Sequence, residues 1–278
     1  NHRYTITHNG EIYNYIELRE ELAKHGYTFQ SQTDTEVIVA AYDYWKDLCV
    51  DHFDGMFAFA IWDAKEKELF GARDRFGEKP FFYYFDENHF LFASEMKALW
   101  AAGIDRIPNQ EMLFNFITIG YTDNPNQPGE TFFENIHKLP TATCLKYSLS
   151  KNELTLEKYW DIDPEKQDKH MSETEALEKL NHLLATSVKR RLRSDVAIGT
   201  SLSGGLDSSS LVAIASSFTN SPLTAFTASF PQFEKDESTY AKQVAEQFKL
   251  HHFSTSITGD DLVNDWEKLC YHQEAPFG

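Results

Sequence analysis

The chain has 278 residues, with 26 Lys and Arg against 43 Asp and Glu for a formal charge of −17, and it is 41% hydrophobic and 14% aromatic. That length and apolar content suit about two domains, each with its own core, and exclude intrinsic disorder. The acidity excludes chain-wide affinity for nucleic acid or anionic membranes; the one dense basic run, Lys189-Arg190-Arg191-Leu192-Arg193, is too short to overturn it.

No stretch reaches the roughly 18 consecutive apolar residues of a membrane span, and no basic-then-apolar signal opens the chain, so a cytoplasmic location is expected. Cys49, Cys144 and Cys270 are far apart and lack CxxC or Cys/His spacing. Neither a disulfide framework nor a zinc site is expected, and each cysteine reads as a buried small hydrophobe. The chain opens at Asn1 without a start Met and stops at Gly278 just after a helical pattern, which reads as an internal piece of a longer protein.

From residue 4 to residue 159, short apolar and aromatic runs bounded by turn residues predict strands over 4–8, 56–62, 68–73, 80–85, 90–93, 141–149 and 153–159. Helical spacing predicts helices over 15–24 (Ile16, Leu18, Leu22) and 34–48 (Val37, Ala40, Ala41, Trp45, Leu48), with Gly26 stopping the first. Strands in runs with helices between them favour a layered α+β sandwich. The charged segment 161–171, with Pro164 and no apolar period, reads as a linker.

Beyond it the pattern changes. Ser172 and Glu175 form a capping box ahead of Leu177, Leu180, Leu184, Val188 and Leu192, predicting a helix to about Arg193. Strands over 196–202, 223–230 and 251–254 then alternate with helices over 208–217, 237–248 and 260–271. Alternation of this kind predicts a doubly wound parallel α/β sheet.

Ser203-Gly204-Gly205-Leu206-Asp207-Ser208-Ser209 lies where the apolar run 197–202 ends and a helix begins. In an open α/β sheet, ligands bind beyond the carboxyl ends of the strands, and a helix N-terminus offers unpaired N–H groups to an anion. Two glycines let the backbone approach phosphate oxygens, while Ser203, Ser208 and Ser209 add hydroxyls. No lysine follows the glycines, so a GxxxxGK[ST] loop is absent and the segment suits pyrophosphate.

These residues resemble the pyrophosphate loop of the ATP pyrophosphatase family, which forms acyl-adenylates and releases pyrophosphate. Chains that join such a domain to an N-terminal sandwich resemble the glutamine-hydrolysing asparagine synthetases. The resemblance implies that Leu202, Ser203, Gly204, Gly205, Leu206, Asp207, Ser208 and Ser209 contact ATP, that Asp207 helps to hold Mg²⁺, and that Ala228 lies near the adenine. Asp236-Glu237 and Leu250-His251-His252 are also similar to that family, with a helix N-terminal charge pair and a strand edge as the plainer readings; His252 is not expected to bind metal.

In the first half, Asn9-Gly10-Glu11-Ile12-Tyr13-Asn14 joins a strand to a helix, and Thr33-Asp34-Thr35-Glu36 opens the next helix with Thr33 or Asp34 as cap. Both resemble the glutaminase half of class II amidotransferases. The implied roles are Asn9 and Gly10 as donors to a tetrahedral oxyanion, and Glu11 and Asp34 as partners of the α-ammonium of glutamine. Segments 53–59, 73–80 and 92–95 extend the resemblance and read as mostly structural, with a domain interface as the alternative for the dense charges of 73–79. The family's nucleophile is a cysteine at the mature N-terminus, whose α-amine serves as base. Asn1 stands there and no cysteine matches, so the chain as given is expected to lack glutaminase activity, and a later SGxGxDE-type segment is missing as well.

The expected architecture is therefore α+β then α/β. An αββα sandwich of the N-terminal nucleophile hydrolase type, truncated, occupies 1–160; a linker spans 161–171; and a truncated ATP pyrophosphatase domain with a doubly wound parallel sheet occupies 172–278. The expected function is glutamine-dependent asparagine synthesis through an aspartyl-adenylate, with glutamine, aspartate and ATP as partners, Mg²⁺ as cofactor and a homodimer left open. The alternatives are an amidotransferase for another carboxylate (a sugar acid, peptide or antibiotic precursor) and a non-catalytic ATP-binding homologue. RNA binding by 189–193 is the weaker reading beside a helix end whose cations suit the macrodipole.

Overall fold

The computed structural model describes residues 3–168, 170–230, 233–234 and 236–277; Asn1 and Lys169, which enter the readings above, lie outside them. The chain divides into two compact units, one running to Pro164 together with the segment from Cys270 on, the other Glu165–Leu269.

The first unit contains β1 (Tyr4–Ile12), α1 (Tyr15–Lys24), α2 (Asp34–Trp45), a 3₁₀ turn (Lys46–Leu48), α3 (Cys49–His52), β2 (Gly55–Asp63), β3 (Glu68–Arg73), β4 (Phe82–Phe85) and β5 (Phe90–Ala93). It continues with α4 (Met96–Ala101), α5 (Gln110–Ile119), β6 (His137–Lys138), β7 (Thr143–Ser148) and β8 (Glu153–Lys158). These strands form two sheets, ordered β1-β2-β3-β7-β8 and β5-β4-β6, with antiparallel pairing throughout.

The period of two explains how these sheets stack. Along β2, Phe57, Phe59 and Ile61 face one way and pack with Leu18, Leu22, Val37, Ile38 and Ala41 of the helices. Ala58 and Ala60 face the other way and pack with Phe81, Tyr83, Leu139, Leu145 and Tyr147. On the second sheet, Phe82, Leu91 and Ala93 turn to Met96, Leu99 and Trp100 of α4. The layers are helix, sheet, sheet, helix, as the α+β reading expects. Each fully buried Phe, Leu or Ile contributes about 1.5–3 kcal/mol, so β2, buried on both faces, is the axis of the unit.

The predicted 34–48 helix stops at Trp45 because Lys46 takes φ 55. Gly26, with φ 91, ends α1 as expected. Three further elements were not expected: α4 is too short to show a period, β6 has two residues, and α5, although Asn109 and Gly120 cap its ends, buries only Met112 while Phe114, Ile117 and Ile119 are exposed.

The second unit runs α6 (Glu173–Arg191), β9 (Gly199–Ser201), α7 (Leu206–Phe218), β10 (Thr224–Ser229), α8 (Ser238–Gln247) and β11 (His251–Ser256), followed by α9 (Gly259–Gln273). Its sheet is parallel, ordered β11-β10-β9. Val212 of α7 and Ala241 and Ala245 of α8 share one core with Leu202 and Ala225, so both helices cover the same face. Phe226 points the opposite way and stacks on Phe253 with centroids 5.6 Å apart. The expected strand over 196–202 shortens to Gly199–Ser201, the part that pairs with β10. The capping box of Ser172 and Glu175 is formed, but along α6 Leu177 and Leu180 are exposed and only Val188 is buried.

One expectation fails. Cys49 and Cys144 are buried, but Cys270 is exposed, because α9 buries none of its residues and covers no apolar face there.

Candidate functional site

Two groups of predicted residues each meet in space. In the first unit, Gly10 takes φ 138 opposite Phe57, and an added Cβ would stand 2.0 Å from the carbonyl oxygen of Met56. Only glycine lets β1 approach β2 so closely. The Asn9 amide donates to Oγ of Ser94 at 3.2 Å, beside a cavity of about 230 Å³ that Asn9, Ala58, Phe81, Phe92 and Ser94 help to line. Glu11 is exposed on the same strand.

Thr33, not Asp34, caps α2, accepting from the Glu36 amide at 3.4 Å. This leaves the Asp34 carboxylate available at the first helical position, where Oδ2 accepts from the Ile12 amide at 2.8 Å. A residue 22 positions away in sequence is thereby bound to the end of the Asn9–Ile12 stretch. His8, which the sequence reading passed over, joins it: its Nδ1 lies 3.2 Å from Oγ1 of Thr35 and 4.0 Å from Oδ2 of Asp34. Burial holds the His8 imidazole below its ordinary pKa, with Lys79 adding to that and Asp34 opposing it. The signal that could have exposed it is its place immediately before Asn9-Gly10 on β1.

Of the dense charges of 73–79, Arg73 and Asp74 are buried, Arg75 and Lys79 are half-buried and Glu78 is exposed. Asp74, 0% exposed, accepts from the amides of Phe57 (3.2 Å), Phe76 (3.0 Å), Glu78 (2.9 Å) and Lys79 (3.0 Å). Arg73 donates to the carbonyls of Lys79 (2.7 Å), Leu139 (2.7 Å) and Gly77 (2.8 Å), and Arg75 to that of Phe53 at 2.6 Å. Beside the turn's own bond from the Gly77 amide to the Asp74 carbonyl, these side chains satisfy further backbone groups of the turn and of the neighbouring segments at Phe53, Phe57 and Leu139.

In the second unit, Ser201 pairs with Phe226, so Ser203 follows the end of β9 at the carboxyl-terminal side of the sheet, level with Ala228, which is still in β10 and pairs with Thr255 of β11. Gly205 is the N-cap of α7, and Gly204 takes φ 91 with an added Cβ only 2.5 Å from the Ala241 amide nitrogen and 2.7 Å from Cβ of Tyr240. The start of α8 therefore closes down on the loop. The Gly205 amide donates to Oγ of Ser203 at 3.2 Å, while Ser208 and Ser209 donate to the Gly205 carbonyl at 3.2 and 2.7 Å. The hydroxyls hold the loop's shape. Amides of the first turn, from Leu206 onward, have no carbonyl four residues back within the helix, and this is where an anion is stabilised.

Leu206 is 84% exposed and Asp207 is exposed beside it. Leu202 is buried; its amide donates to the Phe226 carbonyl at 2.9 Å and its own carbonyl accepts from Thr227 at 2.6 Å. It can meet a ligand only as the base of the loop. Asp236 accepts from the Phe230 amide at 3.1 Å and from Ser238 at 2.5 Å, organising the entry to α8. His252 lies 2.8 Å by Nε2 from Thr227.

Burial pushes the thiols of Cys49 and Cys144 far above the ordinary range, which disfavours the thiolate that a nucleophile needs. Among the described residues no cluster of three or more His, Cys, Asp or Glu could hold a metal ion, and no helix is long and apolar enough to cross a membrane.

The family profile described as glutamine amidotransferase domain matches residues 1–160, and that described as asparagine synthase matches 179–278. Asparagine synthetase (glutamine-hydrolyzing) 3 of Bacillus subtilis is 36% identical over 98% of this chain and 46% of its own length. Putative asparagine synthetase (glutamine-hydrolyzing) 2 of Methanocaldococcus jannaschii is 36% identical over 98% of this chain and 52% of its own. Asparagine synthetase (glutamine-hydrolyzing) 1 of B. subtilis is 34% identical over 98% and 42%. The chain spans about half the length of these curated relatives. An antiparallel two-sheet unit bearing Asn9-Gly10 and a parallel-sheet unit bearing the Ser203–Ser209 loop agree with both profiles, and the chain belongs to the glutamine amidotransferase family, continuing into an asparagine synthase segment.

Proposed function

We propose that the first unit binds glutamine as amido donor, that the second binds ATP by its pyrophosphate, and that the whole protein makes asparagine from aspartate. The observation that carries this reading is the loop at the carboxyl edge of the parallel sheet. Gly204 has the left-handed backbone and the lack of a side chain that let the loop lie against Tyr240 and Ala241, and the first amides of α7 would face the pyrophosphate. Backbone N–H groups and a helix dipole held by packing need no reorganisation as charge builds on departing pyrophosphate.

The residues present fit a magnesium ion of the kind nucleotides bring. Mg²⁺ is commonly held by one or two carboxylates plus substrate phosphates, and Asp207 offers one exposed carboxylate in the first turn of α7. The ion would offset phosphate charge there. Aspartate would be activated as its adenylate, its carboxylate oxygen attacking the α-phosphorus and pyrophosphate leaving; ammonia would then displace AMP. In the first unit, the Asn9 side-chain amide and the Gly10 N–H would donate to the oxyanion of the glutamine amide, and Asp34 with Glu11 would bind its α-ammonium. The thiol nucleophile is assigned to none of Cys49, Cys144 and Cys270.

The test has two parts. Calorimetry of this chain with ATP should show binding that strengthens with Mg²⁺ in wild type, and strengthens less in Asp207→Asn. Pyrophosphate release by the full-length protein should depend on aspartate over other carboxylates, with asparagine as product. Absence of ATP binding removes the reading of the second unit; release driven by a different carboxylate keeps the chemistry and replaces the acceptor.

A further inference from the structure

His8 stands one residue before Asn9-Gly10, and none of the roles above uses it. Its side chain is 5% exposed. Nδ1 lies 3.2 Å from Oγ1 of Thr35, and that hydroxyl donates to Oδ1 of Asp34 at 3.3 Å. A hydroxyl whose proton goes to Asp34 can only accept from His8, so the neutral ring carries its proton on Nδ1 and leaves Nε2 as a bare acceptor. Nε2 is buried and has no hydrogen-bond partner among the described residues. The charged groups facing the ring are Asp34 of α2, with Oδ2 4.0 Å from Nδ1, and Lys79 of the segment before β4.

We propose that His8 is a positioning residue that sets the charge Asp34 presents to the α-ammonium of an amino-acid ligand. The proposal rests on the glutamine reading of the first unit. With the ring neutral, Asp34 is oriented by the Ile12 amide and the Thr35 hydroxyl and keeps its full negative charge for the ligand. With the ring protonated, an imidazolium lies beside Asp34, satisfies that carboxylate internally and repels an incoming ammonium. Burial and Lys79 keep the ring neutral to a lower pH than the ordinary 6.5, so glutamine binding holds through neutral pH and is lost on the acid side. One proton that must leave before the ligand binds weakens affinity by up to about tenfold per pH unit below the His8 pKa.

The experiment is calorimetric titration of the 278-residue chain with L-glutamine from about pH 5 to pH 8, for wild type, His8→Gln and Asp34→Asn. Wild type should lose affinity on the acid side; His8→Gln, whatever its affinity at neutral pH, should lose the acid-side decline. An unchanged decline in His8→Gln, or no decline in wild type, overturns the proposal. No glutamine binding at any pH, with Asp34→Asn indistinguishable from wild type, instead removes the pocket reading on which it rests. A proton NMR titration of the His8 Cε1–H, independent of glutamine, is the second readout. Asp34→Asn should lower the His8 pKa further, and an unmoved titration shows that the two side chains are uncoupled and sinks the proposal even if His8→Gln does not fold.

Discussion

Thr227 of β10 donates its hydroxyl to the carbonyl of Leu202 at 2.6 Å, and Nε2 of His252 on β11 lies 2.8 Å from Oγ1 of Thr227. Because the Thr227 proton goes to Leu202, His252 must supply its own, so three neighbouring strand segments are tied through one hydroxyl to the residue that precedes the Ser203–Ser209 loop. Thr227→Val keeps the shape and leaves a buried carbonyl and a ring N–H unpaired, a cost of about 1–3 kcal/mol. Urea denaturation should show that loss and titration with ATP should show weaker binding, while Thr227→Ser stays near wild type. A valine variant equal to wild type in both would remove Thr227 from the support of the loop.

The adjacent glycines of that loop should respond differently. Gly204 has φ 91 and would place a Cβ 2.5 Å from a backbone nitrogen, whereas Gly205 has φ −67 and would meet nothing nearer than Oγ of Ser203 at 3.3 Å. Gly204→Ala should cost about 2–4 kcal/mol and abolish ATP binding, with Gly205→Ala within about 1 kcal/mol in stability. Gly10→Ala, at 2.0 Å from the Met56 carbonyl oxygen, should be the most damaging of the three and yield little folded protein. Thermal melts of the three variants side by side decide the order.

Asp74 is the centre of the turn after β3. Asp74→Ala leaves the amides of Phe57, Phe76, Glu78 and Lys79 without this acceptor and should destabilise by about 3–5 kcal/mol. Asp74→Asn keeps one acceptor oxygen and brings two protons toward donors, so it should recover only part of the loss. Equal stability of the alanine variant and wild type in guanidinium would show that water replaces the carboxylate.

The carboxylate of Asp43 accepts from Tyr4 and Tyr27, each at 2.7 Å, joining β1, the α1–α2 connection and α2. Burial and then the bond to Asp43 push the Tyr27 hydroxyl from its ordinary 10 up to about 12. A raised pKa means the unfolded chain gives up this proton first. The stabilisation is therefore complete below pH 10 and is lost as the pH climbs toward 12. Denaturant midpoints should fall across that window in wild type and fall less steeply in Tyr27→Phe. An identical slope in the variant would mean that other groups control alkaline unfolding.

Much of the molecule was legible because the signals are local. The strand–glycine–helix order around Ser203–Ser209, the Ser172–Glu175 capping box, the period of two in β2 and the Gly26 stop each depend on neighbours within a few residues. Elements too short to repeat a pattern, six residues in α4 and two in β6, carried no signal. The exposed apolar side chains of α5 and α6 break the link between hydrophobic spacing and burial, and Cys270 is exposed for the same reason on α9.

The sequence by itself determined the order of the main strands and helices and the change from an α+β pattern to an α/β pattern, because backbone propensity and hydrophobic period are written residue by residue. Only the tertiary structure decided that Thr33 rather than Asp34 caps α2, that Asp34 reaches the Ile12 amide with His8 beside it, that Arg73 reaches the Leu139 carbonyl and Asp74 the Phe57 amide, and that Thr227 holds Leu202. A buried polar atom takes whichever partner the packed chain brings within about 3 Å, and that choice is made across tens of residues.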